Sequence, residues 1–273
     1  LKELGISEKD IDRIKDVPYQ ELYNAGQRAM AASIGTRRPG TPMMWGFGPT
    51  PDGEVVLQQP FQPGFADISS NVPLLIGTTF NELQRLNYNR NITLEQARTE
   101  LQRTFADETD AYIDAFAEAY PDYTPQDLLS IDWLFRPKTI ITADYVAKSR
   151  KAKTYTYMFT WRSPINKGSV HGNELNFCFN TLERAGNELP QPTEQDYELA
   201  DIMSSVWAQF AKTGNPNIKE LPKWKAYTAK NGEMMIFDYN CEIRNNPDRK
   251  LEEIIDRHCF KQLDEFRKKQ AGK

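Results

Sequence analysis

Histidine is scarce in this sequence: only His171 and His258 occur among the 273 residues. Because histidine is the side chain that most readily gains and loses a proton near neutral pH, each is a candidate for proton transfer. Cysteine is scarce too, with three widely spaced residues and no C-x-x-C pair. This spacing argues against both a disulfide framework and a zinc site.

An excess of one charge and long apolar runs are missing as well. The net charge is −4, with acidic and basic residues interspersed, so neither nucleic acid nor an anionic membrane is expected as a partner. No apolar run approaches the length of a membrane span. The hydrophobic content of 39% and the aromatic content of 11% indicate a globular protein. Its length suits one large domain or two small ones.

The apolar pattern predicts strands that alternate with helices. Val72–Ile76 is a short apolar run that ends at Gly77, which is typical of a buried strand in a parallel sheet. A long loop rich in proline and glycine is expected from Gly35 to Gly64. The remaining predicted elements are short helices from Leu1 to Arg28, a helix opened by a capping box at Thr93–Gln96, helices at Glu108–Tyr120, Pro137–Ala152, Glu194–Lys212 and Asp248–Lys269, and strands at Thr154–Trp161 and Met234–Phe237.

The first candidate site residue is His171, in the segment Gly168–Leu175, which reads G-S-V-H-G-N-E-L. This loop follows the predicted strand Thr154–Trp161, so its histidine can reach a nucleophile while the sheet behind it stays rigid. A loop histidine can also do no more than satisfy local hydrogen bonds. His258 is predicted within a helix, where no partners converge, and is interpreted as structural.

The second candidate is Glu82, directly after the predicted strand Val72–Ile76. The carboxyl end of a parallel strand is where open α/β sheets place their chemistry. Alternatively, a glutamate here interacts with the positive end of a helix dipole. An acid after one strand and a histidine after the next form the second half of a nucleophile–acid–base triad on an α/β-hydrolase sheet.

The nucleophile of such a triad is missing from the sequence. A G-x-S-x-G elbow and an H-G-G-G-type oxyanion loop are both absent. Ser7 has a glycine two residues before it but a lysine, not a glycine, two residues after it. Ser169 lies within the histidine loop, and Ser204 and Ser205 fall inside a predicted helix. None of these serines is placed as a nucleophile.

Several segments, in their order along the chain, resemble those of type-B carboxylesterases, the family that includes para-nitrobenzyl esterases and cholinesterases. V-P-L-L-I-G-T-T-F-N-E, ending at Glu82, is similar to the family's strand-plus-acid segment, and G-S-V-H-G-N-E-L resembles its G-x-x-H-G-x-E-L. The stretch from Phe210 to Tyr227 is similar to its F-x-x-x-G-x-P-N…P-x-W-x-x-Y tail. Leu83 departs from the pattern, since the family usually has glycine after the acid.

This resemblance implies that residues 1–273 are the C-terminal part of a single α/β-hydrolase domain, with a mostly parallel sheet and flanking helices. It implies a serine carboxylesterase with Glu82 as acid and His171 as base. The substrates would be small-molecule carboxylic esters, and neither a metal nor an organic cofactor would be needed. Glu174 would brace the loop. The family's habit suggests export.

The resemblance also implies a partner: the N-terminal half of the same esterase, on this or a separate chain, which supplies the nucleophilic serine and the oxyanion hole. Without it, the sheet would expose an edge and a large apolar face, and the chain alone would be inactive. The alternatives are a non-catalytic, cholinesterase-like binding protein and an inactive fragment. Retention of both acid and base favours the esterase.

Overall fold

The computed structural model describes residues 1–34, 51–58, 67–83, 91–149 and 151–259. Most of the loop predicted at Gly35–Gly64 lies outside these residues, as does the last part of the helix predicted at Asp248–Lys269. The chain separates into two compact units, residues 1–59 and residues 60–273. That the whole chain is part of a single domain stays a prediction.

The first unit is mainly helical. It has short 3₁₀ helices at Lys2–Leu4 and Glu8–Asp16, followed by helix α1 at Tyr19–Ile34. Arg28 Nε donates to Glu3 Oε2 across 3.2 Å, which ties α1 to the first turn. The short helices predicted for this stretch are therefore present.

Pro51-Asp52-Gly53 begins a turn that is fixed by its aspartate. Asp52 Oδ1 accepts hydrogen bonds from the backbone nitrogens of the three residues 54–56. Gly53 adopts a φ of +76°, which a side chain would disfavour.

The second unit is built on a four-stranded sheet in the order β1-β2-β3-β4. The strands are β1 at Leu74–Thr79, β2 at Thr154–Phe159, β3 at Glu233–Phe237 and β4 at Glu242–Asn245. The first three are parallel and β4 is antiparallel, so the sheet is mixed. The mostly parallel sheet predicted from the sequence is confirmed, whereas the short polar strand β4 was not predicted. In the described part of the chain, β1 hydrogen-bonds to β2 alone and forms an edge.

The register of the parallel strands aligns their carboxyl ends. Thr79 lies opposite Phe159, and Phe159 lies opposite Phe237. The loops that leave β1 and β2 therefore start side by side at one edge of the sheet.

Helices cover both faces of this sheet. They are α2 at Leu94–Phe105, α3 at Thr109–Ala119, α4 at Arg136–Ser149, the short α5 at Leu175–Cys178, α6 at Glu194–Thr213 and α7 at Arg249–Cys259. Short 3₁₀ helices at Asp67–Ser69, Ala106–Glu108, Asp127–Leu129, Leu182–Arg184 and Gly186–Glu188 complete the unit. Within the described residues, none of the helices combines the length and the apolar character needed to cross a membrane.

Alternation along the strands divides the core in two. Met158, Met234 and Ile236 point to the face covered by residues of α2, α3, α4 and α7. Tyr155 and Phe159 point to the opposite face, which is covered by residues of α5 and α6. Because successive strand side chains alternate between faces, one apolar sheet supports both helical layers.

The helix signals read from the sequence correspond to real caps. Thr93 and Gln96 form the predicted capping box at the start of α2, and Thr193 forms another with Asp196 at α6. Gly214 ends α6 with a φ of +70°.

Candidate active site

Two loops meet at the carboxyl edge of the sheet, one after β1 and one after β2. Phe80 N donates to Phe159 O at 2.9 Å, which continues the strand pairing past the end of β1. Farther along, Glu82 and Val170 form an isolated parallel bridge, and His171 N donates to Glu82 O at 3.1 Å. The two candidate side chains therefore leave neighbouring backbone positions.

Glu82 has an unusual backbone conformation, with a φ of +34°. This value lies toward the left-handed region, which costs a side-chain-bearing residue about 1–2 kcal/mol. Reciprocal hydrogen bonds with Thr79 hold it there: Thr79 N donates to Glu82 Oε1 at 2.8 Å, and Glu82 N donates to Thr79 Oγ1 at 3.0 Å. One carboxylate oxygen is thus fixed by the end of the strand, and the other is free to face the histidine.

Glu82 and His171 are in direct contact. The distance from His171 Nδ1 to Glu82 Oε2 is 2.6 Å. The Glu82 side chain is 8% exposed and the His171 side chain 61% exposed, so a buried carboxylate holds an accessible imidazole. With the ionised carboxylate accepting from Nδ1–H, the other ring nitrogen keeps its lone pair and can act as a base.

Buried polar groups beside Glu82 fix the two loops to each other. Asn81 is fully buried. Its Oδ1 accepts from Ser169 N at 2.7 Å, and its Nδ2 donates to Ser130 O at 2.9 Å. Sequence reasoning missed Asn81, although a polar residue within a buried strand end signals a side chain that must find partners.

The Glu174 carboxyl interacts electrostatically with both Glu82 and His171. Burial, and after it the Glu82 carboxylate, raises the pKa of the Glu174 carboxyl above its ordinary value, while His171 acts in the opposite direction. Its Oε2 is buried and makes no hydrogen bond to any residue in the described ranges. The expected bracing of the loop does not run through that oxygen.

An aromatic ring that sequence reasoning missed is stacked beside the candidate base. The Phe135 ring lies parallel to the His171 imidazole, with centroids 5.9 Å apart and planes inclined by 11°. Phe135 directly precedes α4, far from His171 in sequence, and no local motif predicts the contact.

His258 lies away from this site, on α7. Its Nε2 is 2.7 Å from Glu108 Oε2, and its ring makes an edge contact with Phe105. These are structural contacts between helices.

The buried serines near the site use their hydroxyls elsewhere. Ser130, Ser163 and Ser169 donate to the backbone carbonyls of residues 126, 188 and 159, respectively. None of these three hydroxyls is bonded to His171, so they do not complete a triad. In the described ranges, no group of three or more histidine, cysteine or acidic side chains is arranged to hold a metal ion.

Two cavities lie along the same side of the molecule and share Asp122 and Arg162 in their walls. Their volumes are about 610 Å³ and about 460 Å³. Gln126 and Lys167 are among the residues that line the larger cavity, and Phe80 is among those that line the smaller one. Neither Glu82 nor His171 is among the described lining residues of either cavity.

Comparisons with protein families, known sequences and solved structures all point to the same family. Residues 3–254 match the Carboxylesterase family. The para-nitrobenzyl esterase of Bacillus subtilis is 29% identical over 264 residues, which cover 91% of this chain and 50% of that protein. The chain therefore spans about half the length of this curated relative.

Solved structures agree. An esterase from Clostridium hathewayi, described as able to hydrolyse aliphatic aromatic polyesters, superposes with a TM-score of 0.78 at 29% identity, covering 94% of this chain and 51% of that one. A Geobacillus stearothermophilus carboxylesterase gives a TM-score of 0.59 at 26% identity, with 93% and 52% covered. The fold is thus an esterase-like α/β-hydrolase fold with a mixed sheet and flanking helices.

Proposed function

The chain belongs to the carboxylesterase family, and from that premise we propose that Glu82 and His171 are the acid and the base of a serine esterase triad. The observation that carries this proposal is the 2.6 Å contact between His171 Nδ1 and Glu82 Oε2 at the carboxyl edge of parallel strands. The substrates would be small-molecule carboxylic esters.

In this mechanism, the second ring nitrogen of His171 removes the proton from a serine hydroxyl as that oxygen attacks the ester carbonyl carbon. Glu82 stabilises the imidazolium that forms. The imidazolium then protonates the departing alcohol, leaving an acyl-serine. Water, deprotonated by the same imidazole, attacks the acyl carbon, and the proton returns to the serine as the acid is released. No metal or organic cofactor takes part.

The nucleophilic serine and the oxyanion hole are proposed to come from a portion of the esterase outside these 273 residues, on this or a separate chain. Three features support this. The sequence has no G-x-S-x-G, and the buried serines near His171 donate to backbone carbonyls. In the described chain, β1 is an edge strand that can accept a further parallel strand. The 273 residues alone are then expected not to turn over esters.

A fluorophosphonate probe tests where the nucleophile lies, because it bonds covalently to activated serines. The complete esterase would be labelled and digested, and the adduct would be located by mass spectrometry of the peptides. We expect the adduct on a polypeptide segment beyond residues 1–273. An adduct on a serine of these residues would place the nucleophile within them, and the absence of any adduct would contradict a serine esterase.

The roles of the two site residues can be tested by substitution in the complete esterase. We expect His171→Asn and Glu82→Gln each to lower kcat for p-nitrophenyl esters by about a thousandfold or more, since each removes part of the proton-transfer pair. His258→Asn and Glu198→Gln are matched controls away from the site and should leave kcat within a factor of two or so. Circular dichroism would check that all variants fold. Undiminished turnover in His171→Asn would end this assignment.

A further inference from the structure

The imidazole of His171 touches a second side chain besides Glu82. The Phe135 ring is stacked parallel to it with a lateral offset, at a centroid distance of 5.9 Å and an interplanar angle of 11°. This is the offset parallel arrangement that aromatic pairs favour. Phe135 is partly exposed, at 37%, and therefore lies on the accessible side of the site.

Phe135 is held in place by the residues on either side of it. Asp132 is buried and its carboxylate accepts from the backbone nitrogens of Leu134, Phe135 and Arg136, at distances between 2.7 and 3.1 Å. Asp132 N in turn donates to Phe80 O at 2.9 Å, which links this turn to the end of β1. The ring and the candidate acid are thus anchored on the same strand end.

The next residue provides a second anchor. The buried Arg136 guanidinium pairs with Asp248 through Nε to Oδ2 at 2.6 Å and Nη2 to Oδ1 at 2.7 Å. Such a bidentate pair resists rotation of the backbone that carries it. The backbone of Phe135 is therefore fixed on one side by the Asp132 carboxylate and on the other by a buried ion pair.

His171, by contrast, needs restraint. With 61% of its side chain exposed and one hydrogen bond to Glu82, the ring can swing into water by rotation about its side-chain bonds. A base that leaves its position loses both its proton partner and its alignment with the substrate. A flat ring that lies parallel to the imidazole, on a backbone fixed at both ends, opposes this motion.

We propose that Phe135 is a positioning residue that holds the plane of the His171 ring, so that Nδ1 stays on Glu82 and the other nitrogen faces the substrate. This inference rests on the proposed function, in which His171 is the base. The stacking itself is a property of the chain and can be measured without any catalytic activity.

Nuclear magnetic resonance of the ¹⁵N-histidine-labelled chain provides that measurement, because the sequence has only two histidines. A stacked phenyl ring shifts the His171 ring protons upfield, and an Overhauser contact should join them to Phe135. In Phe135→Leu we expect the upfield shift to vanish and the Nδ1–H to exchange with water about 3- to 10-fold faster. Phe135→Trp should restore both the upfield shift and the slower exchange. The signals of His258 should be the same in all variants. The control Phe179→Leu, at an exposed position, should leave the His171 signals unchanged. Unchanged His171 signals in Phe135→Leu, or no Overhauser contact in the parent chain, would overturn the inference.

Kinetics of the complete esterase separate positioning from substrate binding. We expect Phe135→Leu to lower kcat about 3- to 10-fold with little change in KM, and Phe135→Trp to recover it. A raised KM with unchanged kcat would reassign Phe135 to substrate contact and contradict the inference. If esters are not turned over at all, the proposed function fails, while the resonance data still decide whether Phe135 holds His171.

Discussion

Glu82 shows how a single residue can be placed by strain and hydrogen bonds together. Its φ of +34° turns the side chain back toward the strand, and Thr79 satisfies both its backbone nitrogen and one carboxylate oxygen. The remaining oxygen can then meet His171 only in one direction. The hydrogen bonds with Thr79 at the end of β1 therefore hold the Glu82 carboxylate in position, independently of its contact with His171.

Glu174 provides a pH-dependent prediction at the residue scale. Burial, followed by the Glu82 carboxylate, raises the pKa of the Glu174 carboxyl above its ordinary 4.5. Above pH 4.5 the unfolded chain releases this proton, but the folded chain keeps it up to the raised pKa, so the unfolding free energy falls as the pH rises through this window. Glu174→Gln cannot titrate, and we expect it to be more stable than the parent at about pH 8 and equal to it at about pH 4.

Urea denaturation at the two pH values would check this, with the exposed Glu198→Gln as control. If Glu174→Gln shows no gain at the higher pH, burial of the Glu174 charge does not cost stability.

At this scale the sequence was informative about residues within motifs and silent about residues that meet across the fold. Glu82 and His171 follow strands in a recognisable order, so their proximity could be predicted. Asn81 and Phe135 act through contacts with Ser169 and His171, which lie far away in the chain. These two pairs of residues come together only when the sheet forms, so no local sequence pattern predicts their contacts.

Among the secondary-structure elements, the pairing of β1 with β2 depends on Gly77. A Cβ there would overlap Tyr157 Cγ and the backbone oxygen of Tyr157, and a backbone oxygen cannot move away cheaply. We expect Gly77→Ala to lower the unfolding free energy by about 3 kcal/mol because it forces the strands apart. The variant should also disturb the Glu82–His171 contact that these strands support.

Chemical denaturation would measure the loss. Gly186→Ala is the comparison, since no atom lies within 4 Å of the place where its Cβ would stand and only its φ of +59° opposes the change; it should cost about 1 kcal/mol. Equal losses in the two variants would mean that crowding at Gly77 is unimportant.

The elements themselves were largely predictable where local chemistry decides them. The capping box at Thr93 lies where predicted, and the one at Thr193 and the glycine stop at Gly214 likewise depend on neighbours within three or four residues. Strand β4 was missed because its four residues, E-I-R-N, are too short and polar to show a strand period. It exists because β3 offers it a hydrogen-bonding edge.

For the whole molecule, both apolar cores belong to the second unit. Among the residues that the structure describes, all members of the two clusters, from Leu75 to Cys259, lie beyond residue 60. We therefore expect a chain shortened to residues 60–273 to unfold in a single cooperative transition. Denaturant titration followed by tryptophan fluorescence would measure this, and a non-cooperative transition would show that residues 1–59 contribute to the fold.

The α/β class could be predicted at this scale from the alternation of strand and helix signals, because that alternation leaves few layer arrangements. The division into two units could not, since the proline- and glycine-rich stretch Gly35–Gly64, which contains the boundary, is equally typical of a long loop within one domain. The compact units are defined by which segments pack against one another, and a single sequence does not show this packing.

The edge formed by β1 has a practical consequence for anyone producing the protein. In the described chain, its outer backbone groups have no strand beside them, and Leu74–Gly77 are only partly buried. An exposed edge strand tends to pair with the edge strand of another copy of the chain, and this association increases steeply with protein concentration. Soluble yield should therefore rise when the chain is expressed slowly and at low temperature, and fall on concentration or in salts that strengthen apolar association.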